Sequence, residues 1–120
     1  MAKNENSTRH YSDIQEKHVA KALCGMKVAN SGAGKFKKGD VVVPGAKLLV
    51  ECKTSMSKKQ SFSIKEDWIV KNSIEAFENR LDSHCVCFNF GPNEPNYYVI
   101  NETLMSFLCL KLEEMYNSEK

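Results

Sequence analysis

The chain has 120 residues, 42% of them hydrophobic and 27% charged, which is enough apolar material for one two-layer domain and too much for wholesale disorder. A spanning helix needs about eighteen consecutive apolar residues, and the best candidate, Leu104 to Leu112, is broken by Ser106 and Lys111. The net charge of +2 hides an asymmetry: residues 1–60 carry twelve Lys and Arg against five Asp and Glu, whereas residues 61–120 carry five against ten. A basic half of this kind suits a polyanion, most often nucleic acid.

The opening residues 1–11 are polar and have no apolar stretch of the secretory kind, so the expected compartment is a reducing cytoplasm. A single domain over residues 1–120 is expected, with 1–10 flexible. Five cysteines, Cys24, Cys52, Cys85, Cys87 and Cys109, form no CxxC pair, and His10, His18 and His84 lack zinc-ligand spacing. They read as free thiols, mostly buried.

In chain order, Ser12-Asp13-Ile14-Gln15 matches a capping box, and Ile14, His18, Val19, Ala22, Leu23 and Met26 follow at helical spacing. Lys27 to Asn30 reads as a short strand and Ser31 to Gly39 as a glycine- and lysine-rich loop. Val41-Val42-Val43 and Leu48-Leu49-Val50 are apolar runs joined by Pro44-Gly45, which predicts a hairpin with these two as the central residues of a type II turn. In that register Val43 pairs with Ala46 and Asp40 with Leu49. Lys53 to Lys59 is expected to be flexible. Ser63-Ile64-Lys65-Glu66 is a second capping box, opening a helix with Trp68, Ile69, Ile74, Phe77 and Leu81 on its buried face. Cys85 to Phe90 and Tyr97 to Ile100 read as strands around a turn at 91–96. Asn101 caps a last helix carrying Leu104, Phe107, Leu108 and Met115. The order α-β-β-β-α-β-β-α predicts an α/β fold, a mixed sheet flanked by helices.

Asp40, Glu51 and Lys53 carry the chemistry. Glu51 and Lys53 are two apart on a strand and leave the same face; in the expected register Asp40 is their diagonal neighbour on that face. Two carboxylates at ~5 Å and an effective dielectric near 20 repel by about 3 kcal/mol, and a divalent cation reverses that sign. Hard oxygen donors suit Mg²⁺, with Mn²⁺ as a substitute. Lys53 adds a positive charge able to orient an attacking water or stabilise charge developing on a phosphate. Lys35, Lys37 and Lys38, just upstream, suit a phosphodiester backbone. Gly34 and Gly39 have phosphate-loop spacing, but Asp40 stands where that motif needs Lys, which excludes it.

Gly39-Asp40-Val41-Val42-Val43 followed by Leu48-Leu49-Val50-Glu51-Cys52-Lys53-Thr54 resembles the core of the PD-(D/E)XK nuclease superfamily, with its restriction-endonuclease-like fold. A preceding helix carrying Glu16, the Asn30-Ser31-Gly32 loop start and Gln60 downstream are similar to the Holliday-junction-resolvase branch, including its small phage-encoded members. The resemblance covers about residues 9–100; Gly39 stands where Pro is usual. It implies metal ligation by Asp40 and Glu51, with the Cys52 carbonyl as a further ligand and Glu16 completing the metal shell or serving a second metal. Lys53 assists the nucleophilic water, Ser31 and Gln60 sit near the scissile phosphate, and Arg9 is the amino-terminal basic contact. The expected protein is therefore an Mg²⁺-dependent endodeoxyribonuclease in a bacterial or phage-infected cell. It acts on branched or four-way DNA as a homodimer, because paired symmetric cuts need two sites. A nicking, repair or homing-type nuclease of the same fold, and an inactive nucleic-acid-binding module, are the competing readings.

Overall fold

The computed structural model describes residues 8–28 and 40–119. The elements run α1 (Thr8–Leu23), β1 (Met26–Lys27), β2 (Asp40–Val43), β3 (Leu48–Lys53), α2 (Glu66–Glu78), β4 (Ser83–Phe88), β5 (Tyr97–Val99) and α3 (Glu102–Ser118). This is the element order expected from the sequence. One five-stranded mixed sheet has the order β1-β2-β3-β4-β5; β3 and β4 are parallel and every other pair is antiparallel. The parallel pair is bridged by α2, as a parallel connection requires.

Strand alternation divides the core. Val41, Val43, Val50, Cys85 and Cys87 bury against Val19 of α1, whereas Val42 and Leu49 bury against Ala76 of α2. Each helix thus covers one face of the valine-rich hairpin. Ala76 leaves room for α2 to approach, and Gly25 permits the chain to leave α1 beside β2, because a Cβ there would lie 2.7 Å from the Val42 carbonyl oxygen. Among the described residues no helix is long and apolar enough to cross a membrane.

Several boundaries differ from the sequence expectation, each for a local reason. The first helix starts at Thr8, so Ser12 and Gln15 lie inside it and residues 8–10 form its first turn. Gln15 is buried and donates to the Lys53 carbonyl at 2.7 Å instead of capping. The second expected box also fails: α2 begins at Glu66 with Lys65 at the N-cap and no side-chain cap. The face of α2 is rotated as well. Asn72, Glu75 and Ala76 are buried, while Ile74 and Phe77 are 50% and 83% exposed. The hairpin loop is longer than a two-residue turn: Pro44–Ala46 form a short 3-10 turn, and Lys47 closes it in the left-handed region with φ 51°. Strand β4 starts two residues earlier than expected, and Cys24 and Cys109 are exposed. Asn101 does cap α3, accepting from the Leu104 amide at 2.8 Å, and Phe107, Leu108 and Met115 of this helix are exposed.

The segment after β3 is tied down, contrary to the flexibility expected of it. The Lys59 amide donates to the Phe90 carbonyl at 2.7 Å, and the Lys58 ammonium meets Glu94 at 2.7 Å. Gly91 makes this possible, since its φ of +148° favours glycine and a Cβ there would fall 2.7 Å from the Lys58 Cα.

Candidate functional site

The longer hairpin loop shifts the strand register by two residues from the expected one. Val43 pairs with Leu48, Val41 with Val50, and Asp40 stands directly opposite Glu51. A shift of two preserves which face each side chain leaves, so the two carboxylates stay on one face and come closer than the diagonal placement predicted. Directly opposed residues have Cβ atoms about 5 Å apart. Asp40 is buried, with 3% of its surface exposed, and Glu51 is half-buried. The apolar neighbours of both strands form the low-dielectric wall that strengthens any electrostatic interaction there.

Lys53, two residues after Glu51, closes the group. Its Nζ lies 3.0 Å from Glu51 Oε2 and 4.6 Å from the centroid of the Trp68 ring. Trp68 sits near the start of α2, so the helix positions the lysine by a cation–π contact. Lys65, at the N-cap, places its Nζ 5.8 Å from the same ring. Two ammonium groups therefore approach one indole. Sequence reasoning assigned Trp68 to the core and overlooked Lys65; the signal for both was their position at the N-terminus of the helix that follows the hairpin.

Behind the site, a polar network fixes the end of β3. Gln15 Nε2 donates to the Lys53 carbonyl and lies 3.4 Å from Asn96 Oδ1. Thr54 donates to Asn89 Oδ1 at 2.7 Å, and Asn89 in turn donates to Asn96. Cys52 and Cys87 are partners across β3 and β4. A hydrogen bond with Cys87, burial, and the charges of Glu16 and Asp40 together hold the Cys52 thiol far above its ordinary pKa. Burial likewise pushes the Cys85 thiol up to about 12. Of the groups that Cys52 offers, its backbone carbonyl is the hard-oxygen donor that suits Mg²⁺.

Glu16 lies in a different set of contacts. It is buried on α1, with Arg9 Nη2 3.2 Å from both of its carboxylate oxygens and Lys27 Nζ 3.8 Å from Oε1. Arg9 and Lys27 also pair with Asp13. Burial raises the Glu16 pKa while Arg9 and Lys27 oppose the rise; the hydrogen bond from Arg9 lowers that of Asp13. Among the described residues, no three His, Cys, Asp or Glu side chains gather as a metal-holding group. The structure thus brings Asp40, Glu51 and Lys53 together and leaves Glu16 with Arg9, which is committed to two carboxylates. Gln60 is exposed on the anchored segment after β3. Ser31, Lys35, Lys37 and Lys38 lie outside the described residues.

The donor set fits Mg²⁺. Two carboxylates on adjacent strands and the nearby Cys52 carbonyl are all hard oxygens, and Mg²⁺ is commonly held by one or two carboxylates with water completing the octahedron. Asp40 and Glu51 are direct register partners, with Cβ atoms about 5 Å apart, so one divalent cation can take an oxygen from each. No family model, no curated protein and no solved structure matches the chain.

Proposed function

We propose that this chain is a metal-dependent endodeoxyribonuclease, hydrolysing a phosphodiester by water attack at the Asp40–Glu51–Lys53 hairpin. The observation that carries the reading is the direct opposition of Asp40 and Glu51 with the Lys53 ammonium 3.0 Å from Glu51. Binding alone gains nothing from two carboxylates facing a phosphate. The element order and the mixed sheet with parallel β3 and β4 support a restriction-endonuclease-like fold of the PD-(D/E)XK type.

Asp40, Glu51 and the Cys52 carbonyl would hold Mg²⁺, or Mn²⁺ in its place, which supplies Lewis-acid stabilisation of phosphate oxygens and a more acidic bound water. Lys53, held between Glu51 and Trp68, hydrogen-bonds the attacking water and counters the charge that builds on the phosphate. Lys65 adds a second cation against the Trp68 ring, and the basic segment 35–38 together with Lys58 and Lys59 attracts the backbone. Glu16 acts by fixing Arg9 and Lys27 beside the site. The substrate of this reading is branched DNA, a four-way junction above all, cut by a homodimer inside a bacterial or phage-infected cell.

The test is cleavage of labelled four-way junction, flap, duplex and single strand with Mg²⁺, Mn²⁺ or EDTA. The expected result is metal-dependent cutting with the junction preferred and like-polarity strands cut symmetrically. Equal cutting of junction and duplex would keep the nuclease and discard the resolvase. Full cleavage by Asp40→Asn and Glu51→Gln would remove the site.

A further inference from the structure

Helix α3 is built like a core helix but has no core. Every residue from Met105 to Glu119 is exposed, yet Leu104, Met105, Leu108, Leu112, Met115 and Tyr116 fall within an arc of roughly 120° at 3.6 residues per turn. An apolar stripe of that width ordinarily faces a protein interior. Met105, Leu108, Leu112 and Met115 also follow the 3-4-3 spacing of a two-helix seam. Between 42% and 60% of the surface of each large apolar residue from Met105 to Tyr116 is open.

We infer that α3 is a dimerisation helix whose stripe is covered by a second copy of this chain. Three observations choose that occupant. The chain outside the described residues, 1–7, 29–39 and 120, holds only Met1 and Phe36 as large apolar side chains, too few to cover the stripe from within. The helix carries Glu102, Glu113 and Glu114 against Lys111 alone. An anionic bilayer would repel it, because interfacial helices place Lys and Arg on their polar face. The exposed halves of the five exposed stripe side chains, on the order of 100 Å² apiece, sum to roughly 500 Å², more than half of the roughly 800 Å² per partner of a standard stable interface. A contiguous patch of this size sits at the upper end of what a monomer leaves open and is characteristic of an interaction surface.

This surface deepens the junction-cutting reading by giving the homodimer an interface, but its test needs no DNA. Sedimentation velocity of the full chain from micromolar to tenths of millimolar would show a dimer. In Leu108→Glu/Leu112→Glu the dimer dissociation constant would rise by at least roughly 100-fold, with circular dichroism and melting of the monomer unchanged because both positions are exposed. Phe77→Ser, on the open face of α2, would leave dimerisation intact. A monomeric wild type would overturn the inference, as would a dimer indifferent to the α3 changes, a dimer lost in Phe77→Ser alone, or flotation with phosphatidylglycerol vesicles without self-association.

Discussion

Two groups of charged residues sit around the β2–β3 hairpin, and they resolve their charges in opposite ways. On α1, Arg9, Asp13 and Glu16 are spaced by four and three residues, so helical periodicity stacks them along one face, and Lys27 completes the set from β1. Each carboxylate there touches two bases. On the hairpin, pairing sets Asp40 squarely against Glu51, placing like charges opposite each other with Lys53 on one side. The first arrangement is what a fold does to satisfy a buried acid. The second gathers two carboxylates and a lysine on one face of the sheet, the grouping that catalytic sites use.

That contrast is broken most severely by changing the hairpin. Lys53→Ala should reduce cleavage at saturating substrate by about a thousandfold, the scale of a positioned proton-transfer or charge-stabilising group, while DNA binding in a gel-shift assay persists. Glu51→Gln should abolish cleavage while costing at most about 1 kcal/mol of stability, because what it removes from the fold is a partly exposed ion pair with Lys53. A large loss of stability in that variant would mean the pair is structural. Mixed dimers of wild type and Lys53→Ala should nick one strand of a junction and fail to resolve it.

The α1 group should respond in stability instead. Arg9→Met leaves the buried Glu16 with Lys27 alone at 3.8 Å, and should cost about 2 kcal/mol by urea denaturation, less than a fully enclosed pair because Arg9 is partly exposed. A smaller structural effect of the same order, about 1–2 kcal/mol, is expected of Gly91→Ala, which forces a Cβ into Lys58 at a φ that favours glycine. Limited proteolysis should then open the 54–60 segment before the rest of the chain.

The smallest effect is a pH dependence. Burial raises the Glu16 pKa above its ordinary 4.5, so the folded protein holds that proton more tightly than the unfolded chain does. Wild type should therefore gain stability relative to Glu16→Gln as pH falls through the raised value towards 4.5, and lose it as pH rises. Asp13 has the opposite sign: Arg9 lowers its pKa below 3.8, and its contribution is present above 3.8 and lost as pH falls further. Melting curves of wild type, Glu16→Gln and Asp13→Asn from pH 3 to pH 8, near the carboxylate range and above it, would separate the two.

The sequence made the hairpin legible because its signals were covalent and short-range. Two β-branched and apolar runs flanked Pro44-Gly45, and strand alternation placed Asp40, Glu51 and Lys53 together for any even register shift. The turn itself was not legible, since Lys47 entered the left-handed region without a glycine to announce it. The first expected capping box was a local pattern overruled by a tertiary contact, since Gln15 satisfies the backbone of β3 instead, whereas the second failed because α2 starts at Glu66 with Lys65 at the N-cap. The buried face of α2 was misread because apolar content suggested Ile74 and Phe77, whereas the small Ala76 sets how closely the helix approaches Val42 and Leu49. Periodicity correctly marked the apolar stripe of α3 but not what covers it. The pairing of Arg9 with Glu16 escaped for a different reason: the helix was expected to begin after Arg9, so the two did not share a face.

Calorimetric titration of Mn²⁺ into the DNA-free protein tests the central claim most directly, since it interrogates the carboxylate pair without a substrate. The account predicts one site per chain in wild type and in Glu16→Gln, lost in Asp40→Asn and Glu51→Gln, and preserved in Lys53→Ala. Undiminished binding by Glu51→Gln, or a wild-type chain that takes up no Mn²⁺ at all, would contradict it.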